Sequence, residues 1–370
     1  MEWLPCEERV GSVGSREGHC ATCLPSSDSG DEVGALYWRV LRGTVRRSCA
    51  GKPGERTSSA EVDENHRWKP HTLPRDGASL ARGVGDRAYL FGGVDAEMSF
   101  SDSLIVLTLC DAQGDAPLLQ ATELRATGDA PSPRARHSAG CTSTHLLVFG
   151  GETSSAAQTN DTFRLHLDTL VWQRVVTGPA VPAARLLAGP ILFISEWVGV
   201  LYGGAHFANG DIKSLNDAWT LNMSGHPTWA QVGVNNTDGH SDYPFPRSNG
   251  HTGGVLRCSD HHISAVFVGG KDGCEGCDLV KEVRLDDGNE GNLRLQLVQP
   301  VLAGGLGPHW RYTPAAVETP RGLLLLGGQC RHPQEVAAFI LRETGRSKEV
   351  IHYAAESGEG IEMPYDATQR

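Results

Sequence analysis

No apolar run in the 370 residues approaches the ~20 that a membrane-crossing helix requires. The opening, MEWLPCEERV, has neither the basic region nor the apolar stretch of a secretory leader. This predicts an intracellular protein, cytoplasmic or nuclear and not secreted, in which the sequons at Asn160, Asn222 and Asn235 carry no meaning as glycan sites. Positive charge is scarce. Lys and Arg number 33 against 44 Asp and Glu, a formal net charge of −11, which argues against a nucleic-acid partner. No attached helical domain is expected, because the chain has no room for one. What the sequence has in quantity is turn formers: 45 Gly and 20 Pro, the composition of a turn-rich all-β chain.

One phrase recurs five times: YLFGG, LVFGG, VLYGG, VFVGG and LLLGG. The glycine pairs are Gly92-Gly93, Gly150-Gly151, Gly203-Gly204, Gly269-Gly270 and Gly327-Gly328, and their first members lie 58, 53, 66 and 58 residues apart. Self-similarity at a period of about 50 residues is the signature of a propeller array. Each pair closes a short apolar run, as a buried strand would be closed. A loop follows, then an acidic residue opens a second strand (Asp102, Asp161, Asp217), then a strand carries tryptophan (Trp172, Trp229). An arginine and a small-residue strand lead into the next unit, as in Arg136-His137-Ser138-Ala139-Gly140 and in Arg247 followed by SNGHTGG. The order predicts four antiparallel strands per unit.

These residues resemble the kelch repeat, over roughly residues 75 to 342. The resemblance implies a β-propeller with one blade per repeat. The fourth and fifth units carry Glu282 and Glu335 where aspartate is usual, and the fifth lacks a tryptophan after its glycine pair. Arg16-Glu17-Gly18-His19-Cys20-Ala21 matches the Arg134–Ala139 pattern without a following Gly-Gly. With ALYWRVLRG (35–43) and Trp68 it predicts a degenerate further blade, hence six blades, with five as the alternative. The segment 1–6, with Trp3, is expected to complete the last blade beside TPAAVE, GLLLLGG and EVAAFIL, and so remove exposed edges. EVIHYAA (349–355) competes for that place. Residues 44–65 read as a flexible insertion and 343–370 as a tail, partly disordered or a last-blade strand.

Cys258, His261, Cys274 and Cys277 have the spacing of two zinc-ligand pairs. The repeat separates them by the strand Ile263–Val268, ~20 Å at ~3.3 Å per residue. One joint zinc site is therefore not expected; Cys274 and Cys277 stay open as a local metal or redox pair, Cys20-Ala-Thr-Cys23 reads as ordinary thiols, and no metal or cofactor is assigned. The repeat-phased arginines are more informative: Arg16, Arg75, Arg136, Arg185, Arg247 and Arg311 each stand at the start of a small-residue strand. Such starts share a face with the loops 94–101, 152–160, 205–216 and 271–280. Arg75, Arg136, Arg185, Arg247 and Arg311 could pair bidentately with carboxylates of an acidic or extended peptide. Equally, each could pair with a loop acid such as Asp95, Asp161 or Asp217 and staple blade to blade. His19, His137 and His251 are repeat residues first. Phe207, apolar in the long loop 205–216, can anchor a partner or pack over the loop's base.

Kelch propellers mostly present their loop face to other proteins, so the resemblance implies a non-catalytic scaffold or adaptor. The alternative is an enzyme on the same fold. Kelch-type propellers include a copper radical oxidase, a sialic acid epimerase and iron-dependent specifier proteins. The oxidase set of two His, two Tyr and a Cys cannot be assembled here from 7 Tyr. The specifier pattern also fails, since Glu282 and Asp286 are followed by Glu290 rather than His.

Overall fold

The computed structural model describes residues 2–5, 21–24, 34–37, 76–110 (without 86 and 96), 118–175, 178–208, 211–232, 246–257, 263–286 (without 274, 278 and 279), 294–298, 311–319, 322–326, 328–329 and 338–342. Outside these lie several expectations of the sequence: the segment 44–65, the tail 343–370 with its rival strand 349–355, Arg16, His19, Trp68 and Arg75, the residues Cys258, His261 and Cys274, and Gly327 and Glu335.

All regular elements among the described residues are β-strands, and no helix there is long and apolar enough to cross a membrane. Five sheets each contain four antiparallel strands. The first runs Ser79–Arg82, Arg87–Phe91, Leu104–Cys110 and Leu118–Leu124; the second runs Ser138–Cys141, His145–Phe149, Thr162–His166 and Val171–Val175. The third begins at Leu192–Phe193 and ends at Thr228–Gln231, and the fourth begins at Asn249–Arg257 and ends at Arg294–Val298. The fifth takes Ala315–Thr319, Gly322–Leu326 and Ala338–Arg342 from the end of the chain and Glu2–Pro5 from its start. The pairing Trp3↔Leu341 sets the register of this closure. A small sheet pairs Ala21–Leu24 with Gly34–Tyr37.

Period-two alternation decides where the core lies. In the second sheet Leu146 and Val148 pack toward the first, with Phe91 and Tyr89. Their neighbours Leu147 and Phe149 pack toward the third, with Leu201 and Trp219. This middle strand is thus apolar on both faces, and the core is a series of layers between blades rather than one centre. The tryptophans complete these layers. Trp172 packs on Phe91 of the preceding blade with ring centroids 5.4 Å apart, and Trp229 packs on Phe149 at 5.1 Å. The Trp229 indole N–H also donates to Thr162 Oγ1 at 3.0 Å.

The Gly-Gly phrase is explained by the blade-to-blade approach. A Cβ on Gly150 would sit 2.8 Å from the carbonyl oxygen of Arg185 in the next blade, and the residue's φ is +66°. Only glycine accepts both conditions. The inner strands follow one another around an axis. Ser79–Arg82 lies beside Ser138–Cys141, then come Leu192–Phe193, Asn249–Arg257 and Ala315–Thr319, and Ala21–Leu24 lies between the last of these and the first.

Candidate functional site

At the end of the molecule where inner strands begin and the post-Gly-Gly loops emerge, the second and third blades spend their arginines internally. Arg134 donates from Nη1 to the Gly150 carbonyl (2.9 Å) and grips Asp161 with Nη1 and Nη2 at 2.8 and 3.2 Å. Arg185 repeats this with the Gly203 carbonyl (2.8 Å) and Asp217, both contacts at 2.7 Å. Both arginine side chains are only 1% exposed. Burial raises the affinity of Asp161 for its proton, but the hydrogen bond and charge of Arg134 outweigh it and the net pKa is lowered. The backbone carbonyl of the same arginine serves the preceding blade: Gly93 N–H donates to Arg134 and Gly151 N–H to Arg185, at 2.8 and 2.9 Å.

In the fourth blade this place belongs to Ser248, whose carbonyl takes the Gly204 N–H (2.8 Å). Ser248 Oγ and Lys281 Nζ each donate to the Gly269 carbonyl at 3.1 Å, doing jointly what the guanidinium does elsewhere. Glu282, expected at the aspartate position, instead lies inside its strand opposite Val266, is buried, and accepts from Ser264 Oγ at 2.6 Å.

Two residues beyond each arginine place, the chain enters the left-handed region: Gly77, Arg136, Leu187, Gly250 and Thr313 have φ between +50° and +65°. These five are linked head to tail. Arg136 N–H donates to Gly77 (2.7 Å), Leu187 to Arg136 (2.9 Å), Gly250 to Leu187 (2.9 Å) and Thr313 to Gly250 (2.6 Å). The resulting collar marks one end of an axial channel of about 740 Å³, lined mainly by small residues such as Ala78, Ala81, Gly140, Gly189 and Gly253. Three non-glycine residues in αL store strain, which the collar hydrogen bonds over-determine.

The collar corrects the phase of the predicted site. Arg136 is a collar residue, and the stapling arginine of its blade is Arg134. Gly77 and Gly250, two positions after Arg75 and Ser248, are the sequence signal for this, since a glycine there marks positive φ. Arg136 is half-buried and pairs with Asp76 (3.2 Å) and with Glu152. Arg185 and Arg311 are buried, which removes them from a partner's reach. Arg247 is exposed and is not the repeat arginine. Asp102 is exposed as well. His137 and His251 lie between blades. His137 meets Phe91 edge-on at 5.4 Å and shares a 2.7 Å hydrogen bond with Ser79 Oγ; His251 packs on Tyr202 at 5.1 Å. Burial, with the charge of Arg134 beside one and Lys281 beside the other, pushes both imidazoles down to about 3. Cys277 is a buried thiol beyond the strand Ile263–Asp272, and no cluster of three or more metal-ligating side chains occurs among the described residues.

Phe207 sits in a hairpin, Ala205–Ala208 paired with Asp211–Ser214. Reading 205–216 as a plain loop overlooks a signal in its own sequence: Asn209-Gly210 between the two arms is a strong two-residue turn dipeptide. Phe207 is directly opposite Ile212, and the two are 43% and 53% exposed. Met98, also exposed, lies in a loop on this same face. Exposed Val84 and Trp197 lie in turns between first and second strands, on the opposite face.

Comparison with known proteins agrees with this geometry. A model of the KLHDC2/KLHL20/DRC7 Kelch-repeats domain matches residues 57–270. Tip elongation aberrant protein 1 of Schizosaccharomyces pombe is 30% identical over 145 residues, 38% of this chain and 12% of that protein. The Leucine-zipper-like transcriptional regulator 1 homolog of Drosophila melanogaster is 30% identical over 114 residues, 29% of this chain and 11% of that protein. Kelch domain-containing protein 2 of Bos taurus is 34% identical over 98 residues, 26% of this chain and 23% of that protein. The matched stretches therefore span less than a quarter of each of these relatives. With its family model covering more than half of the residues, its glycine-paired strands and its antiparallel blades around one axis, the chain belongs to the kelch-repeat β-propeller family.

Proposed function

We propose that this protein is a non-catalytic interaction module that binds a partner protein or peptide on the face bearing the collar and the post-Gly-Gly loops. The observation that carries the reading is the Phe207–Ile212 pair. Two large apolar side chains stand side by side in water on a hairpin whose base is fixed by Leu186–Ala205 backbone hydrogen bonds of 3.0 and 2.7 Å. Neighbouring exposed apolar groups on a rigid base favour recognition, because their burial gains free energy with little ordering cost. Phe207 is the anchor of this face, with Lys213 and Arg247 as its exposed cations among the described residues.

Affinity capture with the purified chain, followed by mass spectrometry, tests this. The Phe207→Ser, Ile212→Ser double variant should lose the captured protein at unchanged melting temperature, and Trp197→Ser should keep it. The reverse pattern would move the site to the other face.

We infer as well that the propeller has six blades. The support is Ala21–Leu24, an inner strand wedged between those of the fifth and first blades. A cytoplasmic or nuclear setting belongs to the same reading, and cell fractionation checks it.

A further inference from the structure

We propose that the segment recognised by this face is basic: an extended polypeptide stretch with apolar side chains flanked by lysine or arginine. The inference rests on the loop-face reading above and adds the chemistry of the partner.

The repeat arginines suggest a positive ring on first reading, but the structure cancels it. Arg134 and Arg185 are buried against Asp161 and Asp217. Arg136, the surviving collar cation, is bracketed by Asp76 and Glu152. Lys271 lies over the Tyr312 ring, 3.8 Å from its centroid. Among the described residues of these loops, that leaves Lys213 and Arg247 as exposed cations. Against them stand Glu97, Asp211, Asp272 and Glu275, all exposed, and Asp95, which is half-buried.

Their placement matters as much as their number. Asp211 is on the apolar hairpin itself, opposite Ala208. Asp272 and Glu275 face each other across the adjoining hairpin of the fourth blade. That hairpin abuts the first through Ser214, whose Oγ donates to the Lys271 carbonyl (3.5 Å) and receives Asn249 Nδ2 (2.8 Å). On the other side, Phe207 N–H donates to Gln158 Oε1 (3.0 Å), on the loop that carries Glu152. The Phe207–Ile212 patch is therefore an apolar anchor site with one exposed carboxylate, Asp211, on its own hairpin and two, Asp272 and Glu275, on the hairpin beside it. Apolar burial there supplies affinity, while the carboxylates favour approach and register of a cationic segment and repel an acidic one.

The test is to pan a display library of short random peptides against the full chain, then to measure an enriched peptide and its Lys/Arg→Glu reversal by fluorescence polarisation. The inference expects enriched sequences with apolar residues between lysines or arginines, and binding that weakens as salt rises. It expects roughly tenfold weaker binding both to the Asp272→Lys, Glu275→Lys variant and to the Phe207→Ser, Ile212→Ser variant. Enrichment of acidic peptides that still need Phe207 and Ile212 would overturn the basic preference and leave the loop face standing. Basic peptides that bind both variants normally but lose affinity with Trp197→Ser would overturn the loop face itself. A library that yields no peptide, with lysate capture still dependent on Phe207, would overturn the linear segment alone.

Discussion

Both Nη atoms of Arg185 lie 2.7 Å from the two carboxylate oxygens of Asp217, and the same guanidinium holds the Gly203 carbonyl. This is a bidentate, charge-assisted staple. Arg185→Ala takes the guanidinium from the Gly203 carbonyl and leaves the Asp217 carboxylate with the Trp219 indole N–H (2.6 Å) but no countercharge from Arg185. Breaking a fully buried pair costs ~3–5 kcal/mol, and the 20% exposure of Asp217 places this one near ~3 kcal/mol. Arg136→Ala, in a solvent-screened pair, should cost no more than ~1 kcal/mol. Urea denaturation of the two variants checks the contrast; equal losses would deny the staple.

The first glycine of each pair should be irreplaceable. At Gly150 a side chain meets the Arg185 carbonyl at 2.8 Å with φ at +66°. Backbone strain and overpacking together predict a loss of ~2–4 kcal/mol for Gly150→Val. Gly178 is the control, because a Cβ added there would meet no atom within 4 Å. Gly178→Ala should stay within ~0.5 kcal/mol of the parent. Melting curves that fail to separate the two would remove close approach as the reason for the motif.

Acid should unfold this protein through its histidines. His137 and His251 have folded-state pKa values of about 3, below the ordinary 6.5. Between those values the unfolded chain binds more protons, so stability is complete above the ordinary value and falls as pH drops toward 3. Each histidine contributes a slope of about 1.4 kcal/mol per pH unit across that window. Asp161, whose pKa is lowered, adds to the loss below the usual carboxylate range. In His137→Gln the slope of stability against pH between 6 and 4 should be shallower by about that one-histidine amount; an unchanged slope would mean that His137 is not titrating.

Removing residues 1–6 should open the fifth blade. Glu2–Pro5 occupies the edge of Ala338–Arg342, and an uncovered edge is a template for association. The truncated protein should melt earlier and form larger species in size-exclusion chromatography, while a deletion within 44–65 serves as the comparison.

Much was legible in the residue order because each repeat must solve the same local problem. The glycine pairs, the alternating apolar strands and the tryptophans Trp172 and Trp229 announced the blades, since period-two burial and close backbone approach are written in residue types. Closure by Trp3's strand was legible too, as a blade short of a strand faced a strand without a blade. The phase of the arginines was not. Arg134 and Arg136 are chemically identical two positions apart, and only the backbone separates them: one points inward to Asp161, and the other enters αL in the collar. Nor could residue type tell that Ser248 and Lys281 together replace a guanidinium, because they lie 33 residues apart in the chain and meet only at the Gly269 carbonyl. Local periodicity was enough to specify the repeat, its strands and its core. Which charges are spent inside and which face water was settled only in three dimensions, because burial and pairing of an ionic side chain depend on neighbours brought from the adjoining blade.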